Sequence, residues 1–222
     1  MKATTNMQRS IQYLNKIFKA LNEEYFDSSL PTPVITIQST PKAYGHFTPW
    51  EAYRIKEDNG DTVGAVEINI GAGTLDRPIE NVTATLLHEM VHYYCYLNNI
   101  KDTSRNGAYH NKRFKAEAEK RGLSIEYDSR IGWSITEPTE ALLDFIISYG
   151  FEDIRIGRNE FYTYRIGGGA KTGNGGTTTT TTTKKGNSHK LICPKCGCII
   201  RYTTMKAPNI MCMDCNEKMI QA

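Results

Sequence analysis

Residues 167–183 are built from Gly167-Gly168-Gly169, Gly173-Asn174-Gly175-Gly176 and seven consecutive threonines, Thr177 to Thr183. Such a stretch has almost no apolar surface to bury, so no single core can run through it. It divides the 222-residue chain into a body, residues 1–166, a Gly/Thr-rich linker, 167–189, and a short cysteine-bearing tail, 190–222. The division shows in the charge. The body holds 19 Lys/Arg against 22 Asp/Glu, whereas residues 167–222 hold 8 against 2. A basic tail on a mildly acidic body suits a polyanionic or acidic partner.

The body is large enough for one domain and carries 39% hydrophobic residues over the whole chain, a globular balance. Its longest greasy stretch, Ala141 to Ile147, is broken by Asp144 and is too short to span a bilayer. The first residues lack the apolar core of a signal peptide, and cysteines crowd into the tail instead of spreading as a disulfide framework would. These features lead us to expect a cytoplasmic, non-secreted protein without a membrane segment.

Apolar residues Met7, Ile11, Leu14, Phe18 and Leu21 predict a first helix, capped by Thr4 or Thr5. Val34–Gln38, Tyr44–Phe47, Ala52–Lys56 and Ala65–Ile70 read as extended segments, with Asp58-Asn59-Gly60-Asp61 as the turn before the last. Asp76 and Pro78 introduce a second helix. A third is expected over Gly107–Arg121, stopped by Gly122, and a fourth after Thr136-Glu137-Pro138. Asp153–Ile156 and Glu160–Ile166 read as closing strands. The expected fold class is α+β.

The second helix carries His88-Glu89-Met90-Val91-His92. Residues four apart lie one turn above each other, so both imidazoles can reach one ion. Glu89 is rotated away from that pair, where its carboxylate can take a proton from a water that zinc acidifies. A catalytic zinc needs a third protein ligand. The metzincin continuation fails, with Cys95 where Gly is required and Asn98 where His is required. His110, Glu117 and Glu119 remain. Placed on the expected third helix, His110 shares a face with Phe114 and Ala118, and that packing face favours it over Glu117 on the polar flank. A peptidase using Glu117, and a binding adaptor whose zinc sites are only structural, are the alternatives.

Leu86-Leu87-His88-Glu89-Met90-Val91-His92-Tyr93 followed by Gly107-Ala108-Tyr109-His110-Asn111-Lys112-Arg113-Phe114 resembles the SprT-like metalloprotease family. The resemblance runs from the first helix to the terminal cysteines. It implies a zincin-like peptidase body, zinc ligands at His88, His92 and His110, catalytic Glu89, and often a terminal zinc ribbon. The best-understood member is a DNA-dependent protease of DNA-crosslinked proteins, which suggests DNA-bound protein substrates by analogy. The loop over residues 98–106 shows no obvious catalytic group.

In the tail, Cys193-Pro194-Lys195-Cys196 and Cys212-Met213-Asp214-Cys215 are two C-x-x-C turns, the pattern of a closed structural zinc site. So short a segment needs metal for stability. Ile199–Tyr202 reads as a strand leaving the first turn. Cys198 is left over, and His189 reads as a linker residue. Two zinc ions are therefore expected, one catalytic and one structural. Residues 184–222 hold seven Lys/Arg and two Asp/Glu; four thiolates on zinc reduce that excess, leaving enough to grip phosphates weakly. His46 reads as a hydrogen-bonded strand residue, Cys95 as a small buried hydrophobe, and Tyr109 and Tyr127 as packing residues to which no oxyanion role is assigned.

Overall fold

A computed structural model gives the fold and describes residues 5–159, 189–202 and 208–221. The chain forms two compact units, Met1–Tyr164 and Arg165–Ala222. No described helix is long and apolar enough to cross a membrane. Residues 167–188 of the expected linker, and the expected strand at 160–166, lie outside the described residues.

The first unit is mixed α+β. Helix α1, Met7–Phe26, buries Leu14, Ile17, Phe18 and Leu21 at three- and four-residue steps. Its cap is Asn6, not Thr4 or Thr5. The Asn6 side chain accepts from the Arg9 N–H at 2.9 Å, satisfying one of the donors that a helix start leaves free. Strands β1, Val34–Gln38, and β2, Gly45–Lys56, flank β3, Thr62–Gly71, in the order β1-β3-β2, parallel on one side and antiparallel on the other. Central β3 buries Ile68 and Ile70 completely. The segments expected at 44–47 and 52–56 belong to one strand, β2, whose register slips between Thr48 and Tyr53. Pro49 lies in that slip and has no N–H for the ladder.

After a 3-10 turn, Ala72–Thr74, helix α2 spans Ile79–Leu97. It is buried on nearly every side, packed by β2, β3, a second sheet and the remaining helices. That sheet comprises β4 (Thr103–Ser104), β5 (Tyr109–His110), β6 (Leu123–Asp128) and β7 (Gly132–Pro138), ordered β4-β5-β7-β6. Helices α3, Lys112–Glu119, and α4, Glu140–Ser148, complete the four α-helices among the described residues.

Three expectations for this part need correction. Helix α3 starts at Lys112, because Asn111 is its cap, accepting from Arg113 and Phe114 N–H at 2.7 and 3.3 Å. His110 therefore stands on a strand, not a helix. Residues 136–138 end strand β7, and Thr139 caps α4. Asp153–Ile156 forms no strand.

In the second unit, β8 (His189–Ile192), β9 (Ile199–Tyr202) and β12 (Ile220–Gln221) form a sheet ordered β12-β8-β9. A two-stranded ladder, β10 (Met211–Cys212) with β11 (Glu217–Lys218), stands apart from it. Leu191, Cys193, Cys212 and Met219 are its small core. His189 is thus part of a strand, its ring beside Tyr202 with centroids 5.1 Å apart, instead of a linker residue.

Candidate metal centre and active site

Helix α2 presents His88 and His92 one turn apart, and strand β5 brings His110 to them. The three Nε2 atoms lie 3.2 Å (His88–His110), 3.2 Å (His88–His92) and 3.0 Å (His92–His110) from one another. What fixes β5 is a close approach to β7. His110 pairs with Gly132, whose φ is +77°, and a Cβ there would come within 2.1 Å of the His110 carbonyl oxygen. Only glycine fits that position.

The other ring nitrogens are each tied to an oxygen. His92 Nδ1 lies 2.5 Å from the Asp102 carboxylate and His110 Nδ1 3.3 Å from the Ile131 carbonyl; both oxygens can only accept. His88 Nδ1 lies 2.7 Å from Thr136 Oγ1, which donates its own proton to the Ser134 carbonyl at 3.2 Å. That hydroxyl can therefore accept from the ring. All three histidines thereby carry hydrogen on Nδ1, the tautomer whose neutral form offers the Nε2 lone pair.

Three lone pairs aimed at one point repel unless a cation joins them. Separations of 3.0–3.2 Å suit ligands each about 2.0–2.1 Å from one zinc ion, and the nitrogen donor set is right for that metal. Burial, then the neighbouring imidazoles, holds His88 well below the usual range. The same causes lower His110 to about 4. Both rings are uncharged at neutral pH, the form that ligates metal. Phe114, fully buried on α3, lies against all three rings at centroid distances of 4.5, 4.5 and 4.7 Å.

Glu89 lies on the β2 side of the motif helix, within electrostatic reach of His92. Its carboxylate accepts the Phe47 N–H and reaches Gly45, where a Cβ would lie 3.2 Å from Oε1. Burial pushes its pKa up to about 7, against the opposing influence of His92 and the Phe47 N–H. A carboxyl balanced there can both take and return a proton. Strand β2 lies at the edge of its sheet, and the Phe47 contact shows that this edge faces the motif helix.

Glu117 stands apart from this constellation. It bonds Lys120 and Arg121, each at 2.7 Å, and these bonds keep its carboxyl low although partial burial pushes it up. Glu119 faces Lys115. His46 is exposed on β2, 3.9 Å from Glu67. Tyr109 and Tyr127 bond each other at 3.2 Å. Cys95 is buried in the core, which pushes its thiol up to about 12. Sequence reading missed Asp102 and Thr136. Asp102 lies in the loop 98–106 that showed no obvious catalytic group; an acid soon after the motif helix was the available signal. Thr136 carried none.

In the second unit, the sulfurs of Cys193, Cys196, Cys198 and Cys212 lie within 4.8 Å of one another. Cys198 therefore sits inside the cluster, not beside it. The Cys215 sulfur bonds those of Cys196, Cys193 and Cys212. The Cys198 N–H donates to the Cys196 sulfur and, with the neighbouring thiols, lowers it to about 6, towards the thiolate that binds metal.

Comparison with known proteins adds one match. The model of the SprT-like family matches residues 14–128, just over half the chain. That span runs from α1 through β6 and includes His88, Glu89, His92, Asp102, His110 and Phe114. No curated protein and no solved structure matches the chain. The family match covers the residues that build the histidine cluster, and on it the chain belongs to the SprT-like family.

Proposed function

We propose that this chain is a zinc-dependent endopeptidase of SprT-like type, with a zincin-like body. His88, His92 and His110 hold a catalytic zinc, and Cys193, Cys196, Cys212 and Cys215 hold a structural one. The observation that carries the proposal is the convergence of three imidazole Nε2 atoms, two of them from a helix that also carries a buried carboxylate. The described residues bring three donors together there, which suits a centre that must also admit substrate.

Bound at the triad, zinc supplies Lewis acidity towards a carbonyl and a water. Glu89 takes the proton of the attacking water and returns it to the leaving amine. Asp102, Thr136 and the Ile131 carbonyl keep the three imidazoles in the ligating tautomer. The outer edge of β2 offers backbone groups to an extended peptide, a common way of adding a strand to a sheet. Glu117, committed to Lys120 and Arg121, is poorly placed to replace His110.

We further propose DNA-bound proteins as substrates, with the basic tail gripping the phosphates. The test is cleavage of a DNA-binding protein by the zinc-loaded chain, with and without single-stranded DNA. Cleavage stimulated by DNA and abolished by a chelator is expected. A chain that binds two zinc ions and DNA yet cleaves nothing would favour the adaptor reading.

A further inference from the structure

Arg77 stands between the 3-10 turn and α2, just before the start of the motif helix. Its Nε donates to the Thr74 carbonyl at 2.8 Å and its Nη2 to Thr85 Oγ1 at 3.0 Å. Thr85 precedes Glu89 by four residues on α2, a rise of about 6 Å along the same face. Gly45 joins the two: a Cβ on it would lie 3.1 Å from Thr85 Cγ2 and 3.2 Å from Glu89 Oε1. Tyr44, the residue before it, covers the guanidinium with its ring at 4.0 Å and is itself 53% exposed. Arg77 therefore lies where the start of α2 meets the start of β2, under a partly exposed tyrosine.

Two of its five N–H groups are engaged by described acceptors, and no described carboxylate lies within 4.0 Å of it. Burial lowers it to about 10, so it stays charged at neutral pH. Asp76, next to it in the chain, favours its charge without bonding it, and a partly buried cation left without a directly bonded counter-ion costs stability that a neutral brace between Thr74 and Thr85 would not. Its geometry, a fixed fork under an aromatic ring and bonded to Thr85 one turn from Glu89, is that of a carboxylate receptor.

We propose that Arg77 and Tyr44 form an anionic subsite that selects an acidic side chain of the peptide substrate close to the bond that is cut. Glu or Asp in that position forms a charge-assisted pair with the guanidinium and stacks its stem against Tyr44. This inference rests on the peptidase reading above, and its test separates the two.

Peptides differing only by Glu or Gln at each position around the cleaved bond are compared on the wild-type chain and on Arg77→Met and Arg77→Lys. At one position the wild type should prefer Glu by roughly tenfold in kcat/KM, the scale of a charge-assisted hydrogen bond. Arg77→Met should lose that preference while still cutting the Gln peptides, and Arg77→Lys should recover part of it. A purely bracing role would lower cleavage of Glu and Gln peptides alike, and an unchanged Glu/Gln ratio in Arg77→Met overturns the proposal. Should the wild type cut no peptide, the comparison moves to binding of fluorescent Glu and Gln peptides to zinc-loaded Glu89→Gln. Equal affinities there refute the subsite; an Arg77-dependent preference for Glu supports it although the peptidase reading has failed.

Discussion

Replacing Asp102 by alanine should weaken the catalytic zinc without disturbing the fold. The Asp102 carboxylate meets His92 Nδ1 at 2.5 Å, with the two side chains only 15% and 12% exposed. A hydrogen bond to a charged acceptor contributes about 1.5–3 kcal/mol, and partial exposure places this one near the lower end. At 1.4 kcal/mol per factor of ten, the loss corresponds to about 10- to 30-fold in zinc affinity, within the range seen when partners of metal-bound histidines are removed. The Asp102 backbone carbonyl, which accepts the Asn111 N–H at 3.0 Å, is untouched by the change. Zinc retained per chain against graded chelator is the assay, with the cysteine-bound zinc of the same chain as internal reference. The catalytic equivalent should leave earlier and the structural one at its usual chelator concentration. Asp102→Asn, which keeps an accepting oxygen but not its charge, should fall between. Retention identical to wild type, or simultaneous loss of both ions, would refute the reasoning.

Phe114→Ala removes a fully buried ring that packs all three imidazoles and should cost about 3–5 kcal/mol by thermal or denaturant unfolding, with Phe114→Leu much milder. In the metal-stripped chain, Glu89 has its carboxyl raised from 4.5 to about 7. The folded state then binds more protons than the unfolded between those values, so this group's contribution is present below about 4.5 and lost as pH rises through 7. Stripped Glu89→Gln should therefore exceed stripped wild type in stability above pH 7, by at most ~3 kcal/mol, with the gap closing on acidification. His110 has the opposite sign: lowered to about 4, it contributes above about 6.5 and loses that contribution as pH falls through 4. In the tail, Cys215→Ser should lose the structural zinc and Cys198→Ser should keep it, because the paired C-x-x-C turns supply four thiolates; the reverse result by metal counting makes Cys198 the fourth ligand.

Local signals were legible where local physics sets the outcome. Strand β1 and helix α1 follow from their apolar periods, and His88, Glu89 and His92 from a spacing that only a helix brings to one ion. His110 was legible as a residue but not as a position. It was placed on a helix, whereas Asn111 caps α3 after it and the pairing of His110 with Gly132, distant in sequence, makes a strand of it. The alternation of Leu123 and Ile125 with polar neighbours is the local signal of β6, but over so few residues it becomes a strand only by pairing with β7, which places a mixed polar and apolar run beside it. Asp102 and Thr136 could not be found from spacing, since each meets its histidine only once the second sheet is folded against α2. Cys198 joins the sulfur cluster because the turn after Cys196 folds back, its carbonyl accepting the Cys193 N–H at 2.9 Å.

The most direct test of the central claim compares wild type with Glu89→Gln, both assayed for zinc content and for cleavage of a protein substrate. Glutamine keeps the size of the side chain and leaves the three Nε2 donors in place, but cannot accept the proton of the attacking water. Both chains should hold two zinc ions, and cleavage by Glu89→Gln should fall by at least about 100-fold, the lower end for loss of a general base. Full zinc content with cleavage at the wild-type rate would contradict the account.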